Sequence, residues 1–275
     1  MKQKINFFKM HAAGNDFIII DNRKKTLKTD YSLLAKKLCQ RKFSIGADGL
    51  LILENSKISD FKMLIFNSDG TQAEMCGNGA RCIAYYAFIN KIAKKEMEFE
   101  TLAGIIKADV FSENVKIQLT QPKDIKLDFD LKIDEKNLKL SYINTGVPHT
   151  IFFVQKIENV DVYNLGKKIR YHKFFAPDGT NVDFVKVLNK NSIFLRTYER
   201  GVEAETQSCG TGSVASAVIS GLKNLVESPV ECKTASGEIL KVYFNLTKNS
   251  GSIKSVKDVF LEGKVHISFT GTTKL

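Results

Sequence analysis

Apolar and polar residues alternate along most of the chain, in short runs that end at turns rich in glycine, asparagine and aspartate. Such alternation is typical of β-strands that bury one face. In the first half the predicted strands are Asn6–Lys9, Phe17–Asp21, Leu50–Glu54, Phe61–Phe66, Glu96–Glu100, Gly104–Val110 and Asn114–Leu119. In the second half they are Leu138–Asn144, Thr150–Val154, Asn181–Leu188, Ser192–Glu199, Glu231–Thr234, Glu238–Phe244 and Val256–Phe269. The pattern predicts a protein built mainly from β-sheet.

Four segments follow a helical period instead. Two of them, Asp30–Arg41 and Val162–Arg170, have one apolar face and a polar remainder. The other two, Ala80–Ile92 and Gly212–Leu222, are rich in alanine and largely apolar, which predicts buried helices. The segment Pro122–Lys136 is loosely patterned and is predicted to be a linker.

One motif occurs twice. Cys76-Gly77-Asn78-Gly79 returns as Cys209-Gly210-Thr211-Gly212, and 133 positions separate the two cysteines. The flanks keep the same offset, because Thr101–Gly104 returns as Thr234–Gly237. The repeat predicts an α/β fold of the α+β type with two pseudo-symmetric domains, each a bent, mostly antiparallel sheet wrapped around a central helix. We expect residues 1–119 with 264–275 to form the half that carries Cys76, and residues 120–263 the half that carries Cys209.

Both cysteines precede a predicted helix, and this position favours acid–base chemistry. A helix N-terminus leaves backbone N–H groups without partners and carries partial positive charge, so the pKa of a thiol there is expected to fall. The glycines allow close approach of a ligand carboxylate to those N–H groups. We therefore expect the thiols of Cys76 and Cys209 to meet across a pseudo-two-fold axis and to move protons on opposite faces of one carbon. Cys39, Cys82 and Cys232 have no repeat partners and are predicted to be core residues.

Composition narrows the classes of function. The chain has 275 residues, 43% of them hydrophobic, and no apolar run approaches the length of a membrane span. We expect neither a membrane partner nor a secretory signal, and hence a cytoplasmic protein. The formal charge of +11 suggests nucleic-acid binding, but the lysines are scattered and only six residues are arginine. No spacing suits zinc and no glycine-rich phosphate motif is present, so neither a metal nor a cofactor is expected.

Five motifs in order along the chain resemble those of the diaminopimelate epimerases, and the resemblance covers essentially the whole chain. The motifs are Lys9-Met10-His11-Ala12-Ala13-Gly14-Asn15-Asp16-Phe17, Phe66-Asn67-Ser68-Asp69-Gly70, Glu74-Met75-Cys76-Gly77-Asn78-Gly79-Ala80-Arg81-Cys82, Asn144-Thr145-Gly146-Val147-Pro148-His149, and Tyr198-Glu199-Arg200-Gly201-Val202-Glu203-Ala204-Glu205-Thr206-Gln207-Ser208-Cys209-Gly210-Thr211-Gly212. The resemblance implies a cofactor-independent isomerase that acts on a small molecule, diaminopimelate, and forms a homodimer.

For catalysis, the resemblance implies a two-base interconversion of LL- and meso-2,6-diaminopimelate. Cys209 would take the α-proton of the LL form, and Cys76 would donate a proton to the opposite face. His149 and Glu199 would lie beside the thiols and tune or relay their protons. Roles reverse in the other direction, and the whole scheme belongs to bacterial lysine and peptidoglycan precursor biosynthesis.

For binding, the resemblance implies two groups of residues. Those expected at the distal end of the substrate are Asn15, Asn67, Asn181 and Arg200, with Glu199 also counted among the binding residues. Those expected at the α-carboxylate are Gly77, Asn78, Gly210 and Thr211. The chain departs from the family at Gly49 and Val147, where many members have glutamine and asparagine that contact the distal end.

Three alternatives stay open on the sequence. A racemase of proline type or an isomerase of phenazine type would share the architecture, although the phenazine type lacks the paired cysteines. A nucleic-acid-binding protein is suggested by charge alone. A thiol redox protein would use Cys76 and Cys209 as a disulfide pair, and we expect these thiols to be open to inactivating oxidation.

Overall fold

The computed structural model describes residues 4–249 and 252–274. The chain divides into two compact units, one formed by Met1–Gln118 with Glu262–Leu275 and the other by Leu119–Leu261. The predicted half 1–119 with 264–275 includes residues 1–3 and 275, which lie outside the described residues.

Within its described residues, the first unit contains ten strands or strand fragments in addition to its helices. Its strands are β1 (Lys4–Ala12), β2 (Asn15–Asp21), β3 (Gly49–Glu54), β4 (Phe61–Asn67), β5 (Gln72–Ala73), β6 (Glu96–Thr101), β7 (Gly104–Phe111), β8 (Asn114–Gln118) and, after the second unit, the end of β17 (Ser252–Lys264) and β18 (His266–Lys274). Its helices are α1 (Tyr31–Leu38) and α2 (Gly77–Ile89). The neighbours pair antiparallel, except for the parallel pairs β2–β3 and β4–β6.

The second unit repeats this order of elements. Its strands are β9 (Lys123–Ile133), β10 (Lys136–Asn144), β11 (Pro148–Phe153), β12 (Asn181–Asn189), β13 (Ser192–Glu199), β14 (Ala204–Thr206), β15 (Val230–Lys233), β16 (Ile239–Asn249) and the larger part of β17. Its helices are α3 (Val162–Arg170) and α4 (Gly210–Leu222). Parallel pairs again fall at two places, β11–β12 and β13–β15, among antiparallel neighbours. The predicted duplication of two α/β halves is therefore present in the topology.

Each unit wraps its sheet around one helix. In the first unit, α2 packs against β1, β2, β3, β4, β7 and β8. In the second unit, α4 packs against β10, β11, β12, β13, β15 and β16, and every residue of Gly212–Leu222 is buried. Small side chains make this possible, because alanine, serine and glycine let the helix lie close to the strands. The predicted central helices are confirmed.

The opposite faces of the sheets are covered by α1 and α3. A cluster that includes Leu34, Leu38, Ile20 and Ile52 joins α1 to the first sheet. The helix begins where the Asp30 side chain accepts a hydrogen bond from the backbone N–H of Leu33, which is the usual role of an N-cap aspartate. An equivalent cluster packs α3 on the second sheet.

The prediction of a linker at Pro122–Lys136 is wrong. These residues contain the whole of β9, which pairs antiparallel with β10 from Lys123↔Asn144 to Ile133↔Lys136. The missed signal is alternation, because apolar residues occupy every second position at Ile125, Leu127, Phe129, Leu131 and Ile133. The predicted C-terminal strand Val256–Phe269 is also wrong as one element, since it divides at Val265 into β17 and β18.

Candidate active site

The first candidate residue, Cys76, stands at the start of α2. Its backbone is extended, with φ −142°, and its carbonyl accepts the first intrahelical hydrogen bond from Ala80 N at 2.8 Å. The helix starts three residues earlier than predicted, so Gly77, Asn78 and Gly79 form its first turn. Backbone N–H groups in a first turn have no partner within the helix. The half-buried thiol of Cys76 therefore lies next to donors suited to an anion.

Asn15 connects the Cys76 thiol to the polar surroundings of the first unit. Its Oδ1 lies 3.7 Å from Cys76 Sγ and 3.3 Å from Asn78 Nδ2. Asn78 is fixed in turn by the fully buried Arg81, whose Nη2 donates to Asn78 Oδ1 at 2.6 Å. The structure thus brings together three of the predicted site residues and fixes one of them through a buried arginine.

A network of charges holds the other side of Asn15. Asn15 Nδ2 donates to Asp48 Oδ2 at 2.9 Å, and Arg41 bridges Asp48 and Asp16 at 2.6 Å and 2.8 Å. The Lys9 ammonium adds a contact of 2.6 Å to Asp16. Burial alone would raise the pKa of Asp16, but the hydrogen bonds from Arg41 and Lys9 outweigh it and hold the pKa well below its usual range. Asp16 is therefore a fixed negative charge.

Asn67 ends β4 opposite Gly49 of β3. Its Nδ2 donates to the Thr71 hydroxyl at 2.9 Å, so its amide is engaged within its own exposed turn. Gly49 is the first of the two departures from the pattern that the resemblance implies. In this chain a Cβ atom there would lie 2.9 Å from the Phe66 carbonyl oxygen, so a side chain at this position would require the backbone to shift.

The second candidate residue, Cys209, stands at the start of α4 in the same way. Its φ is −124°, and its carbonyl accepts from Ser213 N at 2.9 Å. Its side chain differs from that of Cys76 in being buried, with 7% of the residue exposed. The Cys209 sulfur lies 3.4 Å from the hydroxyl of Thr211. The second thiol therefore has a hydroxyl as a close polar neighbour.

A chain of hydrogen bonds continues from Thr211 into the sheet. Thr211 Oγ1 lies 3.0 Å from His149 Nε2, and His149 Nδ1 lies 2.7 Å from Asp183 Oδ2. The other carboxylate oxygen of Asp183 accepts from the Thr197 hydroxyl at 2.7 Å. The side chains of His149 and Asp183 are both fully buried. The register of β11 and β12, in which Ile151 pairs with Asp183, brings the two together.

The predicted lowering of the thiol pKa is wrong for Cys209. Burial raises the pKa of Cys209 well above its usual range, and the nearby carboxyl groups of Glu199 and Asp183 raise it further. The Thr211 hydroxyl and the Gly212 N–H act in the opposite direction but are outweighed. Desolvation disfavours the charged form of any buried group, and a helix N-terminus does not compensate for it here.

Glu199 ends β13 inside the second unit. Burial raises its pKa, while the neighbouring Thr206 hydroxyl and the nearby imidazole of His149 lower it in part. A carboxyl group with a raised pKa carries its proton at a higher pH than an exposed one. Glu199 lies near enough to Cys209 for its charge to raise the pKa of the thiol.

Asn181 and Arg200 lie close to His149 in the second unit. Asn181 Nδ2 donates to the Pro148 carbonyl at 2.9 Å and lies 3.5 Å from His149 Nε2, while its Oδ1 accepts from Arg200 N at 2.8 Å. Arg200 Nη1 donates to the Asp178 carbonyl at 3.2 Å. Asn181 therefore links the histidine to Arg200, and its amide is held by backbone atoms.

Several residues that shape the site were not predicted from the sequence. In the second unit they are Asp183 and Thr197, and in the first unit Asp48 and Arg41. Asp183 had a signal, because a charged residue inside the apolar strand β12 needs a buried partner. Arg41 and Asp48 had none, since charged residues near a turn are ordinary on a protein surface.

The remaining cysteines are buried, as predicted for core residues. Burial raises the pKa of Cys39 to about 11 and also raises the pKa values of Cys82 and Cys232. In the described part of the chain, no group of three or more His, Cys, Asp or Glu side chains is arranged to hold a metal ion. None of the helices within residues 4–249 and 252–274 has the length and apolar character for crossing a membrane.

Comparison with known proteins supplies a family. The family model described as diaminopimelate epimerase matches residues 7–124 and 141–255. The chain is 42% identical to a diaminopimelate epimerase of Aquifex aeolicus, with 97% of each chain covered. It is also 42% identical to one of Hydrogenobaculum, with 96% of each covered, and 41% identical to one of Archaeoglobus fulgidus, with 87% of this chain and 89% of that one covered.

Solved structures show the same fold at low identity. A phenazine biosynthesis protein of the PhzF family from Bacillus anthracis has a TM-score of 0.75 at 16% identity, with 99% of this chain and 100% of that one covered. A probable proline racemase from Agrobacterium radiobacter has a TM-score of 0.68 at 15% identity, with 98% and 92% covered. These likenesses support the predicted two-domain α/β architecture.

Proposed function

The chain belongs to the diaminopimelate epimerase family and is therefore an isomerase, and we propose that it interconverts LL- and meso-2,6-diaminopimelate. In the LL direction Cys209, as thiolate, takes the α-proton and Cys76, as thiol, gives a proton to the opposite face. The roles exchange in the meso direction. The observation that supports this proposal is the doubled helix start, in which each sulfur occupies the N-cap position before a glycine-containing first turn.

Each helix start offers the substrate an anion site. We propose that the α-carboxylate binds Asn78 and the backbone N–H groups of Gly77, Gly210 and Thr211. Backbone N–H groups at a helix N-terminus carry partial positive charge, so they stabilise the negative charge that develops on the carboxylate as the α-proton leaves. Removal of one such donor from an oxyanion site typically slows a reaction by about 100-fold or more.

The distal amino and carboxylate groups would bind a second set of residues. We propose Asn15, Asn67, Asn181 and Arg200 for this role, with Glu199 near the reacting centre. The guanidinium of Arg200 suits a carboxylate because its planar fork can donate two parallel hydrogen bonds. The support in the structure is local: Asn181 binds the backbone of Arg200, so the two residues are held as one element.

The raised pKa of Cys209 suits a carbon acid as substrate. The α-proton of an amino acid is far less acidic than a thiol, and each unit of mismatch costs about 1.4 kcal/mol. Because burial raises the pKa of Cys209, its thiolate is a stronger base than that of an exposed cysteine. The mismatch is therefore reduced, although the thiolate is harder to form.

The test is incubation of LL-diaminopimelate in heavy water with the unchanged protein, Cys76→Ala and Cys209→Ala, with Cys39→Ala as the control for loss of a buried thiol. We expect meso product that carries deuterium at the α-carbon from the unchanged protein and from Cys39→Ala, and no epimerisation by the other two variants. At early times deuterium should enter the product and not the remaining substrate, since each face has its own base. Turnover of proline, or equal labelling of substrate and product, would contradict the proposal.

Three further features belong to the same proposal. We propose that the reaction needs no pyridoxal phosphate, that the protein acts as a cytoplasmic homodimer, and that its product feeds lysine and peptidoglycan precursor synthesis. Activity that survives treatment with hydroxylamine, which traps pyridoxal phosphate, is the expected result for the first. Light scattering after gel filtration measures the second, and a monomer of 30.8 kDa would contradict it.

A further inference from the structure

We propose that Asp183, His149 and Thr211 form a proton relay that ends at the sulfur of Cys209, with Asp183 as the positioning residue that fixes the histidine. The inference rests on the proposed function for its biological role, since it explains how the thiolate of Cys209 forms. It concerns residues of the second unit alone.

We assign one direction to every donor in the relay by taking Asp183 as ionised and His149 as neutral. Asp183 accepts at both oxygens, from the Thr197 hydroxyl at 2.7 Å and from His149 Nδ1 at 2.7 Å, as an ionised carboxylate does. The Nδ1 atom therefore carries the ring proton and Nε2 has a free lone pair. That lone pair accepts from the Thr211 hydroxyl at 3.0 Å, and the hydroxyl oxygen accepts from the Cys209 thiol at 3.4 Å.

The proton transfer balances without a further reactant. The S–H bond of Cys209 breaks as its proton moves to the Thr211 oxygen, and the original hydroxyl proton of Thr211 moves to His149 Nε2. One S–H bond and one O–H bond are broken, and one O–H bond and one N–H bond are formed. The products are a thiolate at Cys209 and an imidazolium at His149 that lies 2.7 Å from the carboxylate of Asp183.

The surrounding charges explain why a relay is needed. Two carboxyl groups face the thiol, Asp183 from β12 and Glu199 from β13, and both disfavour a thiolate. The helix that carries Cys209, α4, has no charged side chain. An imidazolium at His149 places a positive charge between the thiolate and Asp183, which offsets the repulsion.

The start of α4 is shaped to admit this carboxylate. A Cβ atom at Gly212 would lie 2.5 Å from Asp183 Oδ1. The second glycine of the motif therefore leaves room for a buried charge that lies next to the catalytic turn. A carboxylate present only as an electrostatic neighbour would hinder ionisation of Cys209, whereas a carboxylate that positions His149 assists it. The two roles predict opposite effects of removing its charge.

The experiment measures the pH dependence of alkylation at Cys209 by iodoacetamide, followed on the Cys209 peptide by mass spectrometry. The access of the reagent changes the rate but not the midpoint of the pH curve. We expect Asp183→Asn and Thr211→Val each to raise the midpoint by about one pH unit, which is about tenfold slower alkylation at pH 7. Thr211→Ser keeps the hydroxyl and should restore the original midpoint. Thr150→Val, which removes a buried hydroxyl next to His149 but outside the relay, should leave it unchanged.

The outcomes separate this inference from the proposed function. A lower midpoint in Asp183→Asn would show that the carboxylate only repels the thiolate, and an unchanged midpoint in both Asp183→Asn and Thr211→Val would exclude a relay. Either result overturns the inference whether or not the protein epimerises diaminopimelate, because the readout needs no substrate. Conversely, absence of epimerisation with a shifted midpoint would contradict the function and retain the relay.

Discussion

In the first unit Phe17 of β2 pairs in parallel with Gly49 of β3, and in the second Thr150 of β11 pairs in parallel with Val182 of β12. The second pair repeats the first at the offset of 133 positions that separates the cysteines. The residues just before these pairs differ, since Asp16 precedes Phe17 and His149 precedes Thr150. The comparison shows that the duplicated scaffold keeps its register while the side chain at this position differs between the two halves.

The two thiols consequently differ in their surroundings. Cys76 is half-buried beside the amide of Asn15, which a surface network of charges orients. Cys209 is buried, with Thr211 beside it and His149 behind that hydroxyl. A single fold can therefore give one sulfur a fixed amide partner and the other a titratable one. We expect this difference to extend into the packing of each half.

The largest expected effect concerns the second turn of each central helix, where Arg81 in α2 corresponds to Val214 in α4. Both are fully buried. Arg81→Ala removes a large side chain and its hydrogen bond to Asn78, so we expect it to lower the free energy of unfolding by about 4 kcal/mol. Val214→Ala removes two methyl groups and should cost about 2 kcal/mol. Urea denaturation measures both, and equal losses would show that Arg81 only fills space.

A smaller effect is expected at the second glycine of each motif. Gly212→Ala would place a Cβ atom 2.5 Å from Asp183 Oδ1, whereas Gly79→Ala would place one 3.2 Å from Leu51 Cδ2. The end of a leucine can shift, but the Asp183 carboxylate is held from two sides. We expect Gly212→Ala to cost about 2 kcal/mol and Gly79→Ala almost nothing, by thermal or urea unfolding. A tolerated Gly212→Ala would mean that Asp183 can move away from the helix.

The smallest effects are expected in the pH dependence of stability, with opposite signs in the two halves. The pKa of Asp16 is lowered on folding, so its stabilisation is complete above about pH 4 and is lost as the pH falls through the folded-state pKa. The pKa of Glu199 is raised, so its stabilisation is present below about pH 4 and is lost as the pH rises through the folded-state pKa.

The stabilities of the corresponding variants should therefore differ most from each other at neutral pH, and the difference should become smaller in acid. At pH 7 we expect Asp16→Asn to destabilise by about 1.5 kcal/mol and Glu199→Gln to stabilise by about 1 kcal/mol. Urea midpoints measured from pH 7 down to about pH 4 should bring Glu199→Gln back to the unchanged protein. The same sign of change for both variants at pH 7 would show that burial does not distinguish the two carboxyl groups.

Much of the fold was predictable because its signals are local. The repeated Cys-Gly-x-Gly segments identified both central helices, and alternation identified most strands. The segment that became β9 was missed although its alternation is strict, because its charged residues resemble those of an exposed linker. The division at Val265 has no comparable local signal.

The site was less predictable because it depends on partners that are distant in sequence. Cys76, Cys209 and His149 were predicted from motifs, but Asp183, which binds His149, lies 34 positions further along the chain. Only the register of β11 and β12 brings the two into contact. The raised pKa of Cys209 was missed for the same reason, since burial depends on the packing of the whole unit.

The repeated pairing of strands has a consequence for how such a protein can change. Backbone hydrogen bonds between the paired strands, not side chains, determine the position of the residue before Phe17 or Thr150. A single amino-acid substitution at Asp16 or at His149 would therefore exchange the functional group at that position and leave the backbone hydrogen bonds between the paired strands intact. Gene duplication would thus have supplied two equivalent positions on the same strand pairing, and mutation could change the ionisable side chain at each position independently.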